Sequence, residues 1–383
     1  MSATSTSKKN DSPSIGPYFR YMAEIGVIKV FVDHQIFALI PTSNEDGISL
    51  FEISTTIHAD YNLLERLSNF LVAAEILSAP RPGYIAHTAT SLQFVDPGSL
   101  QVLFFNHVYD FFLVPTVSWP EYMKQHGLVE PKSASQTPFG LSAGYPDKTV
   151  YEILEKMPEP AARFNQAMAA SLPLMPVLGV YDFAWIGEYC RAHSGGSDEA
   201  GRRPLIVDVG GGKGQALKEI LTEYPSIAPE QCVLQDRPEV IVEAQEQQNS
   251  DDWDILRPVK KIASSFFLEQ PTKGALVYHI RRVLNDWPDD DAVLILRQIR
   301  SVAAPDSRVL ISEQILRDPP TLRVAALDLF MMNFGGKRRS ERLFREIAER
   351  AGWRVSRILR DGDLDSGVVE LLVNPEYTLD TPA

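Results

Sequence analysis

At 383 residues, with 44% hydrophobic and 23% charged residues, the chain is long enough for two domains with a large core and has a globular composition. A formal charge of −13 sets it against a nucleic-acid partner, whose phosphates call for a basic face. Its two cysteines, Cys190 and Cys232, are too few for a disulfide framework, so the expected setting is reducing and cytoplasmic.

Residues 1–15 are polar and rich in Ser and Thr, with Lys8 and Lys9, and read as a disordered tail without the apolar core of a signal peptide. The first apolar run, Gly26 to Ile40, is broken by Lys29, Asp33 and His34, and no stretch is expected to span or bind a membrane. Over residues 16–99 the pattern predicts helix, turn, helix and hairpin. Leu63, Leu64, Leu67, Phe70, Leu71 and Ala74 fall on one helical face, and the breakers between Leu77 and His87 mark a β-wing. Such a winged helix often reads DNA. Here residues 1–120 hold six Lys/Arg against eleven Asp/Glu, which predicts a protein contact instead.

Residues 100–193 form a helical, aromatic connector, expected to wall a pocket between domains; His107, Phe164 and Met168 are candidate lining residues within it. Residues 194–204, opening Ser-Gly-Gly-Ser, read as a linker. From 205 to 383 strands alternate with helices. Strands are expected at Leu205–Val209, Cys232–Gln235, Ala275–His279, Arg308–Ser312, Trp353–Leu359 and Val368–Val373, with helices near 213–224, 289–303 and 340–351. This is a doubly wound, Rossmann-like α/β sheet, whose ligand site lies beyond the strand C-termini.

The first such tip is Asp208-Val-Gly-Gly-Gly-Lys-Gly214, a strand that breaks into glycines and restarts as a helix, so that backbone and helix N–H groups face a ligand. The spacing fails the Gly-x-Gly-x-x-Gly dinucleotide fingerprint in both registers. The next strand ends on Asp236, and a carboxylate there suits a ribose diol. No metal site is expected.

With this cradle, Asp236, Arg281-Arg-Val-Leu-Asn-Asp-Trp-Pro288, Arg163-Phe-Asn-Gln-Ala-Met168 and Gly335-Gly-Lys-Arg-Arg-Ser340, the chain resembles the fungal and plant small-molecule O-methyltransferases. The resemblance covers nearly everything after the tail. It implies a class I methyltransferase sheet, an N-terminal, all-helical winged-helix dimerisation domain, a homodimer, and S-adenosylmethionine or its demethylated product, S-adenosylhomocysteine, as bound cofactor. Carried over position by position, Gly210 and Gly212 would face the methionine part, Asp236 the ribose, Ser265 and Phe266 the adenine, and Arg281 the polar edge, with Asp208 and Trp287 also cofactor-binding. Met331 and Asn333 join the implied substrate pocket. Ser265 stands where the family usually has Asp.

The catalytic set departs further. The family's base is a His in a Leu-His-Asp-Trp run, and this chain has Asn285 there, whose amide is too weak a base for a phenol proton. A Glu that steadies the histidine is Arg338 here, while the other supporting Glu survives as Glu313. The chain is therefore closest in character to the family's fungal pericyclases of secondary metabolism. On that resemblance Asn285, Lys337 and Arg338 would polarise a carbonyl of a polyketide-derived pyridone during an Alder-ene or hetero-Diels–Alder cyclisation, with cofactor bound but not consumed. A true O-methyltransferase acting on a phenol or hydroxypyridone is the alternative, and a non-catalytic dimeric scaffold is the third.

Overall fold

The computed structural model describes residues 15–43, 46–171, 176–193, 203–247, 251–362 and 365–377. The expected tail and most of the expected linker lie outside them. The chain forms two compact units, one of residues 1–109 with 163–170, the other of 110–162 with 171–383. The helices expected as one connector are thus shared between the two units.

In the first unit the helix Leu50–Thr56 starts on Ser49, whose side chain accepts from the Phe51 N–H, and Tyr61–Ala73 starts on Asp60, which accepts from the Leu63 N–H at 2.8 Å. Leu77–Ser78 pairs antiparallel with Tyr84–His87 to make the wing, and Ile48–Ser49 closes a three-stranded sheet, so the unit is not all-helical. Phe31, Phe37, Ile53, Leu64 and Leu71 are fully buried at its centre. Its first helix, Gly16–Asp33, leaves Tyr18, Phe19 and Met22 exposed.

The second unit is built on strands β4 (Ile206–Val209), β5 (Cys232–Asp236), β6 (Lys260–Ala263), β7 (Val277–Arg281), β8 (Arg308–Leu316), β10 (Trp353–Arg360) and β11 (Ser366–Val373), counting the three short strands above as β1–β3 and Arg339–Ser340 as β9. Their order is β10-β11-β8-β7-β4-β5-β6. The β4, β5, β6, β7 and β8 pairings are parallel, and β11 is antiparallel to both β8 and β10. The chain reverses its direction of winding between β4 and β7, and the tips there diverge into the crevice that such sheets use for ligands. Val207, Ile280, Ile295, Phe344 and Trp353 fill one face; Ile206, Leu217, Ile220, Leu234 and Phe183 fill the other. The short strand β9 pairs with the end of β8, Ile315 opposite Arg339, which brings the Arg338–Arg339 pair beside Glu313.

The stretch Leu100–Val117 is long and apolar enough, by length and composition, to cross a membrane, contrary to the expectation from sequence. It also carries His107 and Asp110, contains a π-helical turn at Tyr109–Leu113, and stacks Phe111 on Phe139 at 5.5 Å.

Candidate active site

The cradle after β4 is shaped by what its glycines allow. Gly210 and Gly212 have φ of +70° and +60°, where a side chain is strained. A Cβ on Gly211 would lie 2.5 Å from an Asp208 carboxylate oxygen, so this position admits nothing larger than hydrogen. The Gly210 and Gly211 N–H groups donate to the Gln235 carbonyl at 2.8 and 3.2 Å, which ties the turn to the end of β5. Asp236 then closes the site: one carboxylate oxygen accepts from the Gly212 N–H at 2.8 Å, the other from its neighbour Arg237 at 2.8 Å. Burial pushes its pKa up, and those two N–H groups pull it back down. Phe266 packs over Gly210 and meets Trp287 edge-on at 5.8 Å; Ser265 is half-buried and accepts from the Phe267 N–H at 3.3 Å. A ribose carboxylate, a backbone nest and an aromatic wall are the features a bound S-adenosyl group calls for, and the residues present fit it.

Asp208 does not face this ligand. It is fully buried, with one oxygen 2.9 Å from Nδ1 of His279, whose Nε2 is 3.1 Å from the Ser312 hydroxyl. Strand alternation sends Asp208 to the same side as Ile206, into the core, so it braces the cradle from behind. Arg281, at the tip of β7, is half-buried, and burial together with Arg282 lowers its pKa.

Next to the cradle, with Val283 against Gly210, lies the turn Leu284–Asp286, where the acceptor is expected. Glu313 is 1% exposed and accepts from the backbone N–H of Asn285 at 3.1 Å, so it fixes the backbone of the turn and not a side chain. The Asn285 amide donates to Asp286 at 2.8 Å. Behind the turn, Gly336 leaves no room for a Cβ against the Asn285 carbonyl, which accepts from the Lys337 N–H at 2.8 Å. The two cations that follow are placed differently. Lys337 is engaged by Glu130 at 2.8 Å and Asp289 at 3.0 Å. It is therefore spent on structure, which corrects its expected catalytic role. The Arg338 backbone N–H donates to Asp328 at 2.8 Å, but among the described residues its half-buried guanidinium makes no hydrogen bond, and its Nε is sealed from solvent.

Around that guanidinium stand the expected Glu313 and two carboxyls that sequence reasoning missed, Asp286 and Asp328. Burial, then the charge of Glu313, pushes Asp286 up to about 7, although the residue is only half-buried and solvent softens the effect. Burial likewise raises Glu313 and Asp328, against the pull of Arg338 on each. Tyr151, from the helix Val150–Leu154, is a further missed residue. Its hydroxyl bonds Asp286, whose charge raises the phenol pKa, and Arg237 lies 5.3 Å from its ring. It thereby joins the Asp236 and Asp286 sides of the site. Nothing local in its sequence pointed there; the helix start at Thr149 was readable, its destination was not.

Of the expected pocket residues, Asn333 is fully buried and saturated, accepting from the Trp119 indole at 2.7 Å and donating to the Phe111 carbonyl at 3.2 Å. It is a brace and not a substrate contact. Met331 is buried in the same unit. In the first unit His107 is buried against Phe164, ring centres 5.6 Å apart, with its pKa pushed down by burial to about 4; Met168 is half-buried. Among the described residues no cluster of metal-ligating side chains occurs.

Residues 199–354 match the O-methyltransferase domain family. The chain is 60% identical over 363 residues to Methyltransferase pynC of Aspergillus niger, covering 95% of this chain and 98% of that relative. Further relatives from 51% down to 36% identity also carry the name methyltransferase. Among solved structures, OxaC in complex with sinefungin and meleagrin superposes with a TM-score of 0.77 at 22% identity, covering 93% of this chain and 87% of that one. LepI in complex with SAM, and a structure described as a pericyclic reaction enzyme, each superpose at 0.69 with 19% identity, covering 95% and 90%.

Proposed function

The chain belongs to the fungal S-adenosylmethionine-dependent O-methyltransferase family, and on that premise we propose that it transfers a methyl group to a small-molecule acceptor without a histidine base. The observation that carries the reading is the cradle, in which the Gly212 and Arg237 N–H groups hold Asp236 beside the glycine turn. When bound, the cofactor supplies an electrophilic methyl group on a sulfonium centre. Gly210–Gly214 and Asp236 orient that group, Phe266 and Trp287 exclude water from it, and the Leu284–Asp286 turn presents the acceptor. Proximity of this kind accounts for several powers of ten in rate without a proton transfer.

The pericyclic reading is the second one, favoured by Asn285 in place of the base. It asked both Lys337 and Arg338 to polarise a carbonyl, and Lys337 is already held by Glu130 and Asp289. Its fold neighbours, at 19% identity, share the fold alone. The relative at 60% identity supports methyl transfer instead. We also propose a twofold dimer through the exposed aromatic face of Gly16–Asp33, which light scattering tests directly.

The deciding experiment incubates the protein with methyl-labelled cofactor and a panel of phenols, hydroxypyridones and acidic enols. Methyl transfer gives a labelled product heavier by one methyl group, in step with demethylated cofactor. An isomer of unchanged mass and no demethylated cofactor would establish the pericyclic reading in its place.

A further inference from the structure

The Arg338 guanidinium is half-buried, its Nε is sealed from solvent, and among the described residues its side chain donates no hydrogen bond. Its neighbour Arg339 shows what the fold does with an arginine it uses as scaffold. Arg339 is fully buried, and its donors meet Asp289 at 2.8 Å, the Leu284 carbonyl at 2.7 Å and the Trp287 carbonyl at 2.8 Å. A guanidinium carries five donors in a planar fork matched to a delocalised oxyanion; here the Nε–H is buried and unmet, which is costly, and the rest of the fork is left for solvent or a ligand. The fork stands beside Asp286 of the Leu284–Asp286 turn, at the position where the resemblance to the family implies a glutamate.

We propose that Arg338 is the specificity-determining residue of the acceptor site and takes the acceptor as a planar, delocalised oxyanion, an acidic enol or a carboxylate. This rests on the methyltransferase reading above and deepens it. An acceptor that enters already ionised needs no base, which accounts for Asn285 at the family's histidine position. It also accounts for an arginine in place of the second glutamate, since a carboxylate there would repel the same ligand.

The groups facing Arg338 couple this binding to a proton. Arg282 and Arg338 bring two positive charges, while Asp286, Glu313 and Asp328 bring three carboxyls, with the Tyr151 hydroxyl on Asp286. Admitting an anion favours protonation of one of those carboxyls. Asp286, with its pKa raised to about 7, takes up a proton in the neutral range. Affinity for an acidic acceptor therefore falls as pH rises above that value, even though the acceptor stays ionised throughout. The methyl step joins an anion to a cation and leaves both neutral, so Arg338 contributes to acceptor affinity more than to turnover.

The test is calorimetric binding of three coumarins to the full chain with S-adenosylhomocysteine present, so that no turnover is required. The probes are 4-hydroxycoumarin, an acidic enol; coumarin-3-carboxylate; and 7-hydroxycoumarin, a phenol of the same skeleton that is mostly neutral near pH 6.5. The expected result is that the enol or the carboxylate binds about ten- to a hundredfold tighter than the phenol, and whichever of the two is tighter identifies the source of the oxyanion. Arg338→Met should erase that preference, Arg338→Lys should retain part of it, and Asp286→Asn should flatten its pH dependence. Equal affinity for all three probes overturns the proposal, as does a preference that survives Arg338→Met in a variant with unchanged thermal unfolding. Weakening of S-adenosylmethionine binding by Arg338→Met to the same degree also overturns it, because the residue would then serve the cofactor's own carboxylate. If the preference holds but the labelled-cofactor experiment gives no methylated product, the methyltransferase reading fails and the anion site stands.

Discussion

The cofactor side and the acceptor side of the second unit lie at adjacent strand tips, yet they treat their polar groups in opposite ways. At the cradle, Asp236 is gripped by two backbone N–H groups and the turn is pinned to Gln235. At the acceptor turn, among the described residues, Arg338 donates no side-chain hydrogen bond and one buried oxygen of Glu313 has no hydrogen-bond partner, while the Asp286 pKa is raised to about 7. Buried polar groups left unsatisfied raise the free energy of the fold, and they persist where a ligand completes them. The difference lies in the charged group at each tip: backbone N–H groups of the chain hold Asp236, whereas none of the described residues takes a hydrogen bond from the Arg338 side chain; buried side-chain atoms without a hydrogen-bond partner occur behind both tips, on Asp208 and Gln235 as well as on Glu313.

Consecutive arginines give the sharpest way to break that contrast. Arg339→Met strips an ion pair from Asp289, takes the strongest donor from the Leu284 carbonyl and leaves the Trp287 carbonyl unmet, so it should cost about 3–5 kcal/mol of unfolding free energy in denaturant titration. Arg338→Met removes no hydrogen bond but takes a positive charge from among Glu313, Asp328 and Asp286, so its cost should be clearly smaller than that at Arg339. Equal losses at both positions would show that Arg338 is scaffold as well. On the cofactor side, Asp236→Ala removes a charged acceptor and should weaken S-adenosylmethionine binding by roughly 1.5–3 kcal/mol in a calorimeter.

Acid–base behaviour sharpens the comparison further, because two buried groups act with opposite sign. Asp286 has its pKa raised from the usual carboxylate range to about 7, so it binds a proton in the fold that the unfolded chain has already released; stability falls as pH rises across that window. Asp286→Asn should therefore stabilise the protein near pH 8 by about 2 kcal/mol, allowing for solvent screening, and the gain should vanish by about pH 4. His107 is held neutral, its pKa lowered from 6.5 to about 4, so its contribution is present above 6.5 and is lost as pH falls towards 4. His107→Gln should recover about 1 kcal/mol near pH 5.5, visible as a smaller drop in thermal midpoint on acidification. A pH response unaltered in both variants would contradict these assignments.

What the sequence made legible was the part written in adjacent residues. The glycine turn, Asp236 and the loss of the histidine at Asn285 are all readable within one short stretch each. Asp208 was misplaced although its signal was present, since it alternates in phase with Ile206 and so faces the core. Strand β6 was missed because Lys260-Lys-Ile-Ala263 is an edge strand with little burial and no apolar alternation. Lys337 was misread for another reason: its partners Glu130 and Asp289 are 207 and 48 residues away, and no local pattern encodes such a meeting. Tyr151 and Asp328 joined the site in the same way, through the sheet that brings distant segments to one set of tips.

The central claim is that methyl transfer proceeds here with no proton in flight, and the solvent deuterium isotope effect on single-turnover methyl transfer to an acidic enol tests it most directly. Transfer in D₂O as fast as in a viscosity-matched H₂O control is the expected result. Clear slowing in D₂O beyond the viscosity control would contradict the account and require a base that Asn285 does not provide.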